Sequence, residues 1–160
     1  MTDDQPVNPN LMFRPDTFFL KPWRGWGVMR DRTGKVIERY TAQGQGRAGT
    51  RSASSQMTLT FASGVTQTIE MDILSDADGH YFARDLKTGL EGRGQFVGDD
   101  FQWKFAGQPL PGLTGPMGKL IKARTTATYT LTSDSTAVGL TQVRLFGFVV
   151  RTMTTFFQHV

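Results

Sequence analysis

The chain has 160 residues, of which 38% are hydrophobic, and its formal net charge is +4 at pH 7. This length fits one domain with a sizeable core, so we expect a single domain over residues 1–160. Because cysteine is absent, disulfides, thiolate metal sites and cysteine nucleophiles are excluded. Residues 1–6 do not resemble a signal peptide, and no apolar stretch approaches the roughly 20 residues of a membrane helix, which favours a cytoplasmic protein.

The charges are distributed unevenly along the chain. Residues 14–51 hold nine Lys or Arg and three acids, residues 52–118 hold four and eight, and residues 119–160 hold five and one. The first and last strands of a closed barrel are neighbours, so the two basic segments would form one basic side. Such a side would attract an anionic ligand or surface, although ordinary solvated charge explains the same pattern.

The N-terminal segment does not alternate as a strand does. Residues 8–22 contain Leu11, Met12, Phe13, Phe18 and Phe19, which require burial and favour a short helical turn over one barrel end. We therefore interpret residues 1–22 as an arm or cap.

The first predicted hairpins lie between residues 26 and 86. A turn at residues 31–35 joins two predicted strands. The sequence pattern does not decide which side chains of these strands point into the barrel, and the same holds for residues 80–86. Residues 65–73 alternate apolar and polar side chains, as a half-buried strand does. A three-residue loop at 62–64 then pairs three positions and points Gln67 inward; the pairs are Phe61 with Val65, Leu59 with Gln67, and Met57 with Ile69.

The second hairpin joins residues 90–97 to residues 101–105 through a Gly98-Asp99 turn. In its predicted register, Phe96 faces Phe101, and two glycines face aromatic rings: Gly94 faces Trp103 and Gly92 faces Phe105. Each glycine makes room for an aromatic ring, and the opposite face is polar. Residues 107–118 (GQPLPGLTGPMG) hold four glycines and three prolines, so they are predicted to be a loop that covers an opening.

The C-terminal third alternates again from residue 121 to residue 131. A turn at residues 133–136 is predicted to pair Val138 with Leu131 and Leu140 with Tyr129. After Thr141 the apolar phase slips, which suggests a bulge. Counting all runs gives an all-β fold, an antiparallel up-and-down barrel of about 8–10 strands, lipocalin-like, with the N-terminal segment capping one end.

Candidate chemistry is sparse. The two histidines, His80 and His159, are predicted to be structural or exposed, and no nucleophile, phosphate-loop or metal motif is present. The carboxylates fall mostly on solvent faces, so neither an enzyme nor a metal or other cofactor is expected. Basic residues alternate with aromatic ones near residues 23–26 and 144–148, but these rings are predicted to be core, so nucleic acid is not an expected partner.

Several motifs together carry a family resemblance. They are residues 26–35 (WGVMRDRTGK), 78–81 (DGHY), 89–94 (GLEGRG), 101–105 (FQWKF) and 146–148 (FGF). In this order the sequence resembles an uncharacterised bacterial family of lipocalin-like domains. The resemblance implies a calycin-type barrel and no established reaction, substrate or catalytic residue.

The leading hypothesis is a non-enzymatic barrel that binds a small apolar or amphipathic, fatty-acid-like ligand, with residues 107–118 and the N-terminal segment flanking the entrance. An inward Arg144 or Arg151 would meet the ligand's carboxylate, whereas an outward one is merely solvated. Two alternatives are an interaction module whose basic surface meets an anionic partner and a barrel enzyme of the cyclase or isomerase type. The predicted cavity-lining residues are Phe61, Gln67, Ile69, Met71, Phe96, Phe101, Trp103, Phe105, Tyr129, Leu140, Arg144 and Arg151.

Overall fold

The computed structural model of the protein describes residues 11–109 and 122–160. These residues form one short helix and ten strands, whose bounds are α1 (Pro15–Phe18), β1 (Trp23–Asp31), β2 (Val36–Ala48), β3 (Ser52–Phe61), β4 (Thr66–Ser75), β5 (Tyr81–Asp85), β6 (Glu91–Val97), β7 (Asp100–Pro109), β8 (Lys122–Leu131), β9 (Thr136–Leu145) and β10 (Phe148–His159).

The strands close into a barrel in which every strand pairs antiparallel with its neighbours in sequence. The circle is completed by β1 and β10, with Trp23 opposite His159 and Asp31 opposite Arg151. The predicted all-β up-and-down barrel is therefore confirmed, and its strand number lies at the upper limit of the expected range. The four-residue helix α1 covers one end, as expected.

The two ends of the barrel differ in the segments that lie there, and we name them the helix end and the far end. At the helix end, α1 lies beside the connections at residues 49–51, 76–80, 98–99 and 132–135. At the far end lie the connections at residues 32–35, 62–65, 86–90 and 146–147, and there β7 also ends and β8 begins. The described residues 11–22 of the N-terminal segment therefore lie at the helix end, whereas residues 107–109, predicted as the start of the loop, belong to β7 at the far end. Residues 1–10 and 110–121 lie outside the described part of the chain.

Both well-patterned hairpins have the predicted registers. Leu59 lies opposite Gln67 and Met57 opposite Ile69, while Gly92, Gly94 and Phe96 lie opposite Phe105, Trp103 and Phe101. A Cβ atom at Gly92 or Gly94 would overlap the facing rings, so the glycines are required by the close approach of the aromatic side chains. Gly98 has a φ of 63°, which suits the first position of the tight turn.

The predicted register of the β8–β9 hairpin is wrong by one residue. Tyr129 lies opposite Gly139, and Leu131 lies opposite Ala137. A Cβ at Gly139 would lie 3.0 Å from the Tyr129 ring and 2.9 Å from the Phe157 ring, so the inner face needs its smallest residue there. The alternation of inward and outward side chains therefore continues without a break through β9. The predicted bulge lies instead in β10, between Val149 and Arg151.

Aromatic rings fill the helix end. Phe13, which is fully buried, stacks on Tyr129 with 5.1 Å between ring centroids. Phe19 packs against Trp23 at 5.5 Å, and Trp23 packs against Phe157 at 5.1 Å. A second group of rings on β5, β6 and β7 fills the adjoining wall. The remaining space therefore lies against β2, β3 and β8–β10.

Candidate functional site

The barrel encloses a cavity of about 70 Å³ on the side that the aromatic groups leave open. Its lining residues come from β2, β3 and β8–β10; they are Tyr40, Ala42, Met57, Leu59, Tyr129, Gly139, Thr141, Met153, Thr155 and Phe157. None of them carries a charge at neutral pH. The volume is well below the 300–1,000 Å³ of usual ligand pockets, so only a small group fits without rearrangement of the lining side chains.

Two phenols face this cavity from opposite walls. The hydroxyl of Tyr40 forms a 2.6 Å hydrogen bond with that of Thr155, and burial raises the pKa of Tyr40. Burial, together with the nearby Tyr40, raises the pKa of Tyr129 to about 12. Both rings therefore stay neutral at physiological pH, and the cavity offers hydroxyl groups but no fixed charge.

Arg151 lies on the inner face at the far end of β10. It faces Val143, which is fully buried, across the β9–β10 pair, and it is two residues from the cavity residue Met153, or about 7 Å along the strand. Its Nη1 donates to the carbonyl of Val150 at 2.9 Å. Its Nε is buried and has no hydrogen-bond partner among the residues that the structure describes.

The carboxylate nearest to Arg151 in the sheet is already engaged elsewhere. Asp31 lies directly opposite Arg151 on β1, but its Oδ1 accepts hydrogen bonds from the Thr33 hydroxyl at 2.7 Å and from the backbone N–H groups of Thr33 and Lys35. The Thr33 hydroxyl is the main cause of the lowered pKa of Asp31. Among residues 11–109 and 122–160, the one ion pair joins His80 to Asp76, so Arg151 has no carboxylate partner there.

A second buried polar atom lies in the same inner row. Thr125 on β8 is 6% exposed, and its Oγ1 has no hydrogen-bond partner within the described part of the chain. It lies opposite Phe105 on β7 and opposite Val143 on β9. Thr125, Val143 and Arg151 therefore form one row across β8–β10, with unpaired polar atoms on either side of a valine.

The predicted cavity residues separate into several groups. Most belong to the aromatic and aliphatic core beside the cavity; these are Phe61, Phe101, Trp103 and Phe105, which are buried, and Ile69, Met71 and Phe96, which are partly buried. Tyr129 lines the cavity itself. Gln67 occupies the inner position opposite Leu59, as predicted, but its side chain is exposed at the far end.

Two of the predicted residues face outward. Leu140 is 42% exposed, because Gly139 and Thr141 occupy the inner positions of β9. Arg144 lies in the outward phase, where its Nη2 donates to Oε1 of Gln142 at 2.7 Å. Of the two arginines considered for the inner face, the register therefore places only Arg151 there.

Of the ten lining residues the predicted list contains Tyr129 alone; it missed Tyr40, Ala42, Met57, Leu59, Gly139, Thr141, Met153, Thr155 and Phe157. One signal would have found Tyr40: it lies opposite Gly27, and a Cβ at Gly27 would come within 2.6 Å of the Tyr40 hydroxyl. The pairing of glycine with an aromatic ring, which identified the second hairpin, thus recurs in the first. The threonines of β9 and β10 gave no such signal, since threonine occurs on both faces of these strands.

The histidines have structural surroundings. The imidazole of His159 is 4.2 Å from the Phe18 ring, centroid to centroid, and its Nε2 donates to the Phe18 carbonyl at 2.9 Å, which joins β10 to α1. His80 lies with Asp76 and Asp78 in an exposed group whose ligand atoms are within 4.8 Å of one another. The Asp76 carboxylate there accepts hydrogen bonds from the backbone of its own turn.

No helix in the described ranges has the length and apolarity required to cross a membrane.

Comparison with known proteins supports the fold and identifies the family. One similar solved structure is described as an S-type phycobiliprotein lyase, CPES, from Guillardia theta; it has a TM-score of 0.60 and 6% sequence identity, and the similarity covers 88% of each chain. At this identity the likeness concerns the fold alone. No curated protein matches the sequence significantly. A family model described as "Protein of unknown function (DUF3833)" matches residues 2–159, and the chain therefore belongs to that family.

Proposed function

We propose that the barrel binds a small amphipathic anion, whose apolar part occupies the cavity and whose charged group meets Arg151. The observation that carries this proposal is the position of Arg151 on the inner face, with a buried Nε that lacks a hydrogen-bond partner. A buried N–H without a hydrogen-bond partner is costly, and a carboxylate or similar anion would satisfy it through a charge-assisted hydrogen bond. The unpaired Thr125 hydroxyl in the same row is a second donor to such an anion.

The lining of the cavity indicates what the apolar part of the ligand would be. Ala42, Met57, Leu59, Met153 and Phe157 supply apolar contacts, and the lining contains no charged side chain. A hydrocarbon chain or small ring suits this environment. The volume of about 70 Å³ favours a short chain, and Met57 and Met153 are the side chains that can move most easily to admit a longer one.

The second candidate is an enzyme built on the same barrel, because the structural neighbour is named a lyase. Similarity at 6% identity carries over no catalytic residue. The buried ionisable groups near the cavity are two phenols with raised pKa values, and these are poor general bases at neutral pH. We therefore favour binding over catalysis.

The test is calorimetric titration of the full chain with straight-chain carboxylates from butanoate to decanoate and with the matching alcohols. We expect affinity for the carboxylates to rise with chain length and to level off where the cavity is full. The alcohols should bind more weakly, because they lack the charge that Arg151 would meet.

Arg151→Gln should weaken carboxylate binding by about tenfold or more and leave alcohol binding nearly unchanged, since a hydrogen bond to a charged group contributes about 1.5–3 kcal/mol. Arg39→Gln, at an exposed position of β2, is the matched control. Thr141→Leu should weaken both ligand series by filling the cavity. Failure of every carboxylate to bind, or equal binding by the wild type and Arg151→Gln, would contradict the proposal.

A further inference from the structure

The β9–β10 hairpin presents its apolar tip to solvent at the far end of the barrel. Phe146 is 98% exposed and Phe148 is 75% exposed, although each carries one of the largest apolar side chains. Single exposed apolar residues are ordinary. Two phenylalanines at one hairpin tip are not explained by packing against residues 11–109 and 122–160.

The backbone of this tip is also unfavourable for its sequence. Phe146 has a φ of 50° and Gly147 a φ of 84°, so both central residues of the two-residue turn are left-handed. Such turns favour Asn-Gly or Asp-Gly, because a bulky residue is strained at positive φ. Among the described residues, Phe146 is the only one other than glycine with positive φ. Strain of this kind marks functional positions more often than neutral ones.

Cations lie immediately behind the tip. Arg124 on β8 is directly opposite Arg144 on β9, and Lys122 is two residues closer to the far end on the same face as Arg124. Like charges in directly opposed positions destabilise a sheet unless an anion offsets them. Strands β8–β10 contain no Asp or Glu, so these strands supply no such anion.

The charge of the connections differs between the two barrel ends. The described connections at the far end carry three cations, Arg32, Lys35 and Lys87, and no acid, while the strand residues that adjoin them include the acids Asp31, Asp85 and Glu91. Those at the helix end carry four acids, Asp76, Asp78, Asp99 and Asp134, and one cation, Arg51. The connections therefore favour the far end over the helix end for an extended anionic surface, and Lys122 and Arg144, at the far ends of β8 and β9, add to that preference.

We infer that the far end docks onto an anionic lipid bilayer, with Phe146 and Phe148 entering the headgroup region and Lys122, Arg124 and Arg144 meeting the lipid phosphates. A convex apolar tip backed by cations suits a fluid surface, which needs no complementary pocket. This inference does not depend on the proposed ligand. Phe18 and Phe19 do not contribute to such insertion, because both are buried, at 4% and 8% exposure.

The experiment is co-sedimentation of the full chain with vesicles of phosphatidylcholine alone and of phosphatidylcholine mixed with phosphatidylglycerol. We expect binding to the mixed vesicles at low salt, and loss of that binding near 0.5 M salt, where the Debye length falls to roughly 4 Å. Comparable binding to neutral vesicles, or no binding to the anionic ones, would overturn the inference.

Phe146→Asn separates docking from folding, because asparagine suits the left-handed turn position and should keep the hairpin intact. We expect it to weaken vesicle binding by about tenfold or more through the lost apolar insertion. Arg124→Gln and Arg144→Gln should each weaken vesicle binding by about fivefold. Phe82→Thr is the control, since Phe82 is 41% exposed on β5, away from the tip.

Two results for Phe146→Asn would overturn the inference. One is vesicle binding equal to that of the wild type. The other is a wild-type dimer in sedimentation velocity that Phe146→Asn converts to monomer, because a second copy of the chain would then cover the tip.

Discussion

The two ends of the barrel differ in how completely their aromatic side chains are buried. At the helix end, Phe13, Phe18, Phe19 and Trp23 are all at most 8% exposed, and His159 connects the last strand to the helix. At the far end, Phe146 is exposed on a strained turn and Arg151 has a buried Nε without a partner. Aromatic packing is therefore concentrated at the helix end, and the exposed tip and the strained turn lie at the far end, whereas each end has a buried nitrogen without a partner among the described residues, Trp23 Nε1 at one and Arg151 Nε at the other. Departures from local rules of this kind occur at functional sites in natural proteins.

The largest expected effect tests the packed end. Phe13→Ala should lower the free energy of unfolding by about 3–5 kcal/mol, because it removes a fully buried ring that stacks on Tyr129. Phe148→Ala, the counterpart at the far end, should change it by no more than about 0.5 kcal/mol. Urea unfolding followed by tryptophan fluorescence measures both, and similar losses in the two variants would remove the contrast between the ends.

The next effect concerns Tyr129 in the cavity between the two ends, whose ionisation makes the free energy of unfolding depend on pH. Since the pKa of Tyr129 rises from 10.0 to about 12 on folding, the unfolded chain releases this proton first as pH increases. The stabilising contribution is therefore complete below pH 10 and is lost as pH rises toward 12. It amounts to at most about 3 kcal/mol.

Tyr129→Phe isolates this contribution, because the variant keeps the ring and removes the ionising hydroxyl. Urea unfolding at several pH values above 9 should show a smaller alkaline loss of stability for the variant than for the wild type. Parallel curves for the two proteins would show that Tyr129 ionises normally and that the cavity is wetter than its geometry implies.

The smallest effect has the opposite sign and tests the far end. Phe146→Asn should raise the free energy of unfolding by about 1 kcal/mol, because it relieves a left-handed backbone that phenylalanine tolerates poorly. Phe148→Asn, two residues along the same hairpin, should give no such gain. Thermal unfolding of both variants provides the comparison, and a loss of stability in Phe146→Asn would show that its ring contributes packing after all.

Period-two alternation and turn chemistry predicted the barrel and both central hairpins correctly. They succeeded where each inner position held either a large apolar residue or a glycine opposite a ring, as with Gly94 and Trp103. They failed at β9, where the larger side chains of Val138 and Leu140 predict these two as the inner residues. Ala137 and Gly139 lie inside instead, since rings from β8 and β10 already fill that space.

The candidate site was harder to predict than the fold. Arg151 was one of two arginines left open, because the irregularity in β10 shifts the phase at Val149 and Arg151, and alternation cannot be followed through a bulge. The unpaired state of Thr125 is a property of its surroundings in three dimensions. Alternation along β8 places Thr125 on the inner face, unlike Thr126 and Thr128, but it does not show whether the Thr125 hydroxyl has a hydrogen-bond partner.

The β1–β10 pairing has a consequence for the order of assembly. All other strand pairs join neighbours in sequence, so they can form as local hairpins while the chain is being synthesised. The β1–β10 pair must bring Trp23 to His159, which requires closure of a loop that spans most of the chain. Until β10 has been made, β1 and β9 remain as unpaired edges open to pairing with other chains. We therefore expect barrel closure to be the slow step of folding and the stage most sensitive to protein concentration.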